Sequence, residues 1–197
     1  MRCLIRAVTP FTLGNNMQQL NLKFDTHCMV DIETLGTRAG DIVLSIGACL
    51  FSVDDGIYSE IYMTIDPQDS KALGLKHQKS TVEWWGKQSE EARTAAFKGE
   101  YSVATALKMF SMWLPKGAKV WGNGANFDNV LLAGVYRAAK TEQPWKFWDD
   151  RCYRTVKNLF PDVPMDRKGT YHHALDDAKS QALHLIAIAT IRNLTLL

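Results

Sequence analysis

Three short segments of this chain carry acidic residues at spacings that permit chemistry. The first is Asp31-Ile32-Glu33-Thr34, at the end of an apolar run. Alternate side chains of a β-strand point to one face, so Asp31 and Glu33 project together while Ile32 points into the core. Two carboxylates held side by side there repel each other and are costly unless a cation lies between them. An exposed edge-strand pair is the plainer reading, and the motif alone leaves both open. The second segment is Trp121-Gly122-Asn123-Gly124-Ala125-Asn126-Phe127-Asp128, where a strand passes through small residues into a helix. Asp128 falls in the first helical turn, where a carboxylate favours the helix N-terminus with no metal at all. The third is Tyr171-His172-His173-Ala174-Leu175-Asp176-Asp177, which opens a long final helix. Together, such residues can hold hard cations through oxygen ligands and move a proton through an imidazole.

The elements that must position these groups follow from the pattern along the chain. Residues 27–32, 41–53 and 57–65 read as strands, the last two joined by the turn signal Asp54-Asp55-Gly56. Pro67 opens a polar loop. Ser80-Thr81-Val82-Glu83 has the form of a capping box, so a helix is expected to start there. Helical spacing follows over 89–98 and 102–114 and stops at Pro115-Lys116-Gly117. A short strand is expected over 118–122, a helix over 126–140, a last strand over 145–150 and a short helix over 152–160. A loop from Asp162 to Thr170 then leads into an amphipathic helix over 173–193. Strands followed by alternating helices and strands indicate an α/β domain with a mixed sheet.

The bulk properties fit that picture. The length of 197 residues suits one domain with a sizeable core. No apolar run approaches the ~20 residues that span a bilayer, so no membrane partner is expected. The opening MRCLIRAVTPFTLGNNMQQL imitates a basic targeting start, yet Arg6 interrupts its apolar run and Pro10 breaks it. It reads as an extension over residues 1–25, with Met17 as an alternative start and 26–197 as the domain. The four cysteines, Cys3, Cys28, Cys49 and Cys152, form neither a zinc pattern nor a disulfide framework. Buried reduced thiols in a reducing cytoplasm are the expectation. A net charge of +2 is modest, but acids gathered in one site would leave the remaining surface more basic than the total.

The combination of motifs is more specific than its parts. Asp31-x-Glu33, then Phe127-Asp128, then His172-x-Ala174-x-x-Asp177 resembles the DEDD superfamily of 3′–5′ exonucleases, over about 150 residues and in the family's order. One branch of that superfamily has a Tyr four residues before the final Asp, where this chain has His173. The other has a His five residues before it, here His172, so the chain resembles the His (DEDDh) branch. The stretches Glu33-Thr34-Leu35-Gly36, Trp84-Trp85, Trp121-Gly122-Asn123-Gly124 and Phe127-Asp128-Asn129-Val130-Leu131-Leu132 are similar to small phage and bacterial exonucleases of the exoribonuclease AS-like group. The long extension before the first strand departs from that pattern.

The resemblance implies a ribonuclease H-like mixed sheet with flanking helices and hydrolysis from the 3′ end of single-stranded DNA or RNA. It implies two Mg²⁺ or Mn²⁺ ions held by Asp31, Glu33, Asp128 and Asp177, with Asp31 bridging and His172 as general base. Thr34, Leu35, Gly36, Trp85 and Asn126 are expected to meet the terminal nucleotide. Of the adjacent tryptophans, one is expected in the core and the other on a base. Arg38, Arg167 and Lys168 read equally as phosphate contacts or solvated charges, and His173 as a structural or phosphate-contacting neighbour. Several relatives dimerise, so a homodimer is implied. The alternatives are a catalytically silent nucleic-acid-binding module of the same fold and a metal-dependent endonuclease.

Overall fold

A computed structural model describes residues 26–197. The extension 1–25, Cys3 and the alternative start at Met17 lie outside the described residues. Five strands form one mixed sheet in the order β3-β2-β1-β4-β5. Strand β1 (His27–Thr34) is central, antiparallel to β2 (Val43–Ser52) and parallel to β4 (Lys119–Gly122). Strand β3 (Gly56–Thr64) lies antiparallel outside β2, and the three-residue β5 (Asp150–Cys152) lies parallel outside β4.

The alternation of β1 divides the protein into two layers. Cys28, Val30 and Ile32 join a large apolar cluster with helices α4 (Val103–Trp113) and α5 (Asp128–Ala138). Met29 joins a smaller cluster on the other face, under helix α7 (Ala174–Arg192), with Trp121, Tyr153, Ala178 and Leu185. Asp31 and Glu33 share Met29's parity, so they emerge on the α7 face. Helix α7 approaches β2 so closely that a Cβ at Gly47 would lie 2.1 Å from the Leu175 backbone nitrogen. Gly47 pairs with Asp31 in the β1–β2 ladder. The missing side chain at Gly47 therefore brings the first turn of α7, with Asp177, to the level of Asp31.

Most of the expected elements are present, and three differ. Residues 67–72 form a helix, α1 (Pro67–Ala72), rather than a loop. Asp66 accepts from the Gln68 amide and Pro67 occupies the first helical position, an arrangement that favours initiation. Helix α2 (Lys79–Trp85) begins before the Ser80 capping pattern, after Gln78, which makes no side-chain cap. The Gln78 amide is instead donated to the Asp41 carboxylate at 2.6 Å, which ties α2 to the loop after β1. The last strand lies at 150–152 rather than 145–150. Trp145 turns into the core and donates to Asp150, and a single 3₁₀ turn at Phe147–Asp149 separates it from β5 (Asp150–Cys152). The two remaining helices are α3 (Glu90–Ala96) and α6 (Tyr153–Leu159). Cys28 and Cys49 are buried free thiols, as expected, and Cys152 is free and half-buried. Among the described residues no helix is long and apolar enough to cross a membrane.

Candidate active site

A cavity of about 640 Å³ opens at the carboxyl end of β1, between α7, α5 and α2. Asp31, Glu33, Asp128, Asp177 and His172 all line it. They come from one strand, the first turns of two helices and the loop before α7. Glu33, Asp128 and Asp177 are buried, while Asp31 is half-buried. Burial, followed by the charges of Asp128 and Glu33, pushes the Asp31 carboxyl well above its ordinary range. Burial and then Asp128 push Glu33 up to about 8. Burial pushes Asp128 up to about 7 against backbone groups at Ile32 and Asn123 that pull the other way. Unneutralised, these acids resist ionisation in the folded protein.

The donor set fits a hard divalent cation. Its groups are carboxylate oxygens, and a ligand atom of Glu33 and one of Asp177 lie within 4.8 Å of each other, with a His172 ring nitrogen equally near on the open side. Asp128 Oδ2 is buried with no hydrogen-bond partner, a position that a bound cation would satisfy.

The loop before α7 supplies the cavity's other side. His172 has a left-handed backbone (φ 61°), a conformation uncommon outside glycine. Its N–H donates to Asp177 Oδ2 at 3.1 Å, and its ring meets Trp84 edge-on at 4.8 Å. Burial and then the nearby Arg167 hold the His172 imidazole below its ordinary pKa, which favours the neutral ring. His173 stacks on Tyr62 at 4.4 Å and its Nδ1 accepts from the Asp176 amide, so its ring is committed to capping α7.

The expected nucleotide contacts are only partly assembled here. Thr34 lines the cavity, with its hydroxyl donated to the Gly36 carbonyl. Leu35 and Gly36 do not line it. Leu35 is buried and bonded through its backbone to Ile42 and Gln78, and Gly36 packs on the Asp41 carboxylate. Asn126 is exposed away from the cavity. Of the two tryptophans, Trp85 is the core member, 2% exposed with its indole N–H donated to the Thr34 carbonyl. Trp84 is the ring on the cavity wall. Arg38 lies outside, and Lys168 is paired with Asp166 in solvent. Arg167 points inward and pairs with Asp177.

Several lining residues were not singled out from sequence. Gln181 is buried and donates its amide to Asp31 Oδ1 at 2.8 Å. Its place four residues after Asp177 puts it on the same helix face, a signal that spacing could have revealed. Thr37, Ser80, Thr81, Phe127 and Arg154 complete the walls, brought together by tertiary structure alone.

The chain is similar to known proteins in sequence and in fold. The chain is 25% identical over 159 residues to the exodeoxyribonuclease of Enterobacteria phage T4, covering 64% of this chain and 68% of that protein. E. coli Exonuclease I in complex with a dA16 oligonucleotide superposes with a TM-score of 0.61 at 14% identity, over 84% of this chain. The matched region spans 41% of the Exonuclease I chain. The nuclease domain of 3′hExo, a DEDDh family member bound to rAMP, superposes with a TM-score of 0.56 at 15% identity, over 87% of this chain and 94% of that one. The fold is therefore that of the ribonuclease H-like exonucleases. Residues 26–189 match the 3′–5′ exoribonuclease Rv2179c-like domain, and the chain belongs to that family of exonucleases.

Proposed function

We propose that the chain removes nucleotides one at a time from a free 3′ end of single-stranded nucleic acid, releasing nucleoside 5′-monophosphates. The observation that carries this reading is the convergence of Asp31, Glu33, Asp128, Asp177 and His172, from distant segments, on one cavity of nucleotide size. Asp31, Glu33, Asp128 and Asp177 would hold two Mg²⁺ or Mn²⁺ ions. Bound there, the ions supply Lewis acidity and neutralise charge on the reacting phosphate. Gln181 holds one oxygen of Asp31 and leaves the other free. His172 accepts the proton of the attacking water, and its depressed pKa keeps it in the basic form near neutral pH. Trp84 offers an aromatic wall against which a terminal base can pack.

The relatives include both an exodeoxyribonuclease and an exoribonuclease family, so the decisive experiment carries both sugars. Matched 5′-labelled single-stranded DNA and RNA, each with free and blocked 3′ ends, are incubated with Mg²⁺ or Mn²⁺. A ladder that shortens only from free 3′ ends and stops with EDTA is expected, and its rate names the preferred sugar. Cleavage of the blocked strands would indicate an endonuclease, and no cleavage at all a silent binding module. The buried free thiols support a reducing, cytoplasmic setting. The homodimer implied by resemblance is tested by light scattering of the purified chain.

A further inference from the structure

We propose that Arg167 is a phosphate ligand that exchanges partners. Its guanidinium pairs with Asp177, and when a metal ion takes Asp177 the guanidinium passes to the non-bridging oxygens of the reacting phosphate. This inference rests on the exonuclease reading above and adds a residue that the acidic motifs do not contain.

The placement of Arg167 is built rather than incidental. Its side chain is 19% exposed, in contrast to the neighbouring Lys168 at 57%. Its guanidinium carbon lies 3.7 Å from the centre of the Tyr171 ring, a cation–π stack that fixes the plane of the fork. Its Nε is buried without a partner, so a donor remains unspent inside the cavity wall. The loop is pinned between the two stacked residues. The Lys168 amide donates to Ser180 Oγ and the Thr170 amide to Asp176 Oδ2, both at 2.9 Å. Gly169 allows this fold, since a Cβ there would fall 2.2 Å from the Asp176 carboxylate.

The chemistry of exchange follows from charge. Asp177 is gripped twice by the same loop, through Arg167 on Oδ1 and the His172 amide on Oδ2. A cation binding at Asp177 competes with that guanidinium for the same carboxylate, so Arg167 weakens metal binding in the absence of substrate. A phosphate arriving with the metal offers the displaced fork the bidentate geometry it favours. The second guanidinium on the cavity, Arg154, lies on the other wall, where it donates to the Asn123 carbonyl.

Calorimetric titrations of the full chain test this, comparing wild type with Arg167→Gln, Arg167→Lys and Arg167→Ala. Mn²⁺ is titrated alone, and adenosine 5′-monophosphate, dAMP and adenosine are titrated in saturating Mg²⁺. For Arg167→Gln, Mn²⁺ alone is expected to bind about five-fold tighter. The monophosphates are expected to bind ~10- to 100-fold more weakly, with adenosine unchanged and Arg167→Lys intermediate. Circular dichroism establishes that each variant is folded, and Gln, which keeps most of the side-chain bulk, serves if Ala does not fold. Unchanged monophosphate affinity in a folded variant overturns the proposal, as does an equal loss for adenosine, which would make Arg167 a structural residue. Weaker Mn²⁺ binding in the variants also overturns it. These outcomes leave the exonuclease reading intact while wild type still shortens free 3′ ends. A wild type that neither shortens them nor binds monophosphate overturns both.

Discussion

The floor and the roof of the cavity are built on opposite principles. The floor consists of Asp31 and Glu33 on the central strand, with Asp128 and Asp177 in the first turns of α5 and α7. These backbones are hydrogen-bonded and packed on both faces, so the acids cannot move apart to relieve their repulsion. The roof consists of Arg167, Tyr171 and His172 on the loop before α7, with Ser80, Thr81 and Trp84 on the short helix α2. Here the side chains are held by stacks, single hydrogen bonds and the Arg167–Asp177 ion pair, and His172 sits in a sparsely populated backbone region. The buried charge is held on the sheet and the first turns of its helices, whereas the aromatic, basic and hydroxyl groups of the opposite wall sit on a loop and a short helix.

That contrast predicts unequal consequences of mutation. Asp31→Ala should abolish divalent-ion-dependent hydrolysis while preserving the melting temperature, because it removes one of several crowded carboxylates that burial and like charge disfavour, at the loss of one hydrogen bond from Gln181. Digestion of labelled strands, paired with a thermal melt, checks this; a well-folded variant that still digests removes Asp31 from the mechanism. On the roof, His172→Ala should lower the rate by ~10²–10⁴ and leave Mn²⁺ affinity nearly unchanged. His173→Ala should instead lower stability by ~1 kcal/mol through its helix cap and affect the rate little. If His173→Ala carries the large rate loss, the roles of the two histidines are reversed.

The floor was legible in the sequence and much of the roof was not, for a physical reason. Floor residues lie on elements whose periodicity fixes direction: Asp31 and Glu33 two apart on a strand, Asp128 and Asp177 in the first turns of helices. The same logic extends to Gln181, one turn beyond Asp177. Roof residues are placed by contacts between distant segments, which spacing does not encode. Leu35 and Gly36 adjoin the acidic motif in sequence, yet an irregularity in the β1–β2 register at Glu33/Thr34 precedes a turn of the chain into the core. Arg167 and Lys168 are adjacent and equivalent in composition, but only the loop's path sends the first inward and the second into solvent. The α1 helix was recoverable from Asp66-Pro67, a start signal that a reading focused on polarity passes over.

The adjacent tryptophans place the same comparison on a single helix. Trp85 is anchored to the Thr34 carbonyl and packs on Phe97, whereas Trp84 is 40% exposed on the cavity wall. Trp85→Ala should cost ~3–5 kcal/mol of stability, read by chemical denaturation. Trp84→Ala should leave stability within about 1 kcal/mol and raise KM by the ~1–3 kcal/mol of a lost base stack, with kcat less affected. A KM unchanged in Trp84→Ala would assign that ring to supporting His172 alone.

The smallest expected effect concerns pH. Glu33 rises to about 8 and Asp128 to about 7, and Asp31 is raised as well, each chiefly by burial. In the unfolded chain these groups titrate near ~4. Between those limits the folded protein holds more protons than the unfolded one, so stability falls as pH rises. The metal-free protein should therefore melt several degrees lower at pH 8 than at pH 6, at ~2–4 °C per kcal/mol for a chain of this size. Saturating Mg²⁺ should close most of that gap, because a bound cation replaces the protons that neutralise the floor. In Asp128→Asn the metal-free slope should become shallower, with one titrating group removed, while His172→Ala should make it slightly steeper near pH 6, because the depressed His172 opposes the fall. A slope that survives Asp128→Asn in full and flattens in His172→Ala would move the pH-sensitive charge from the rigid floor to the roof.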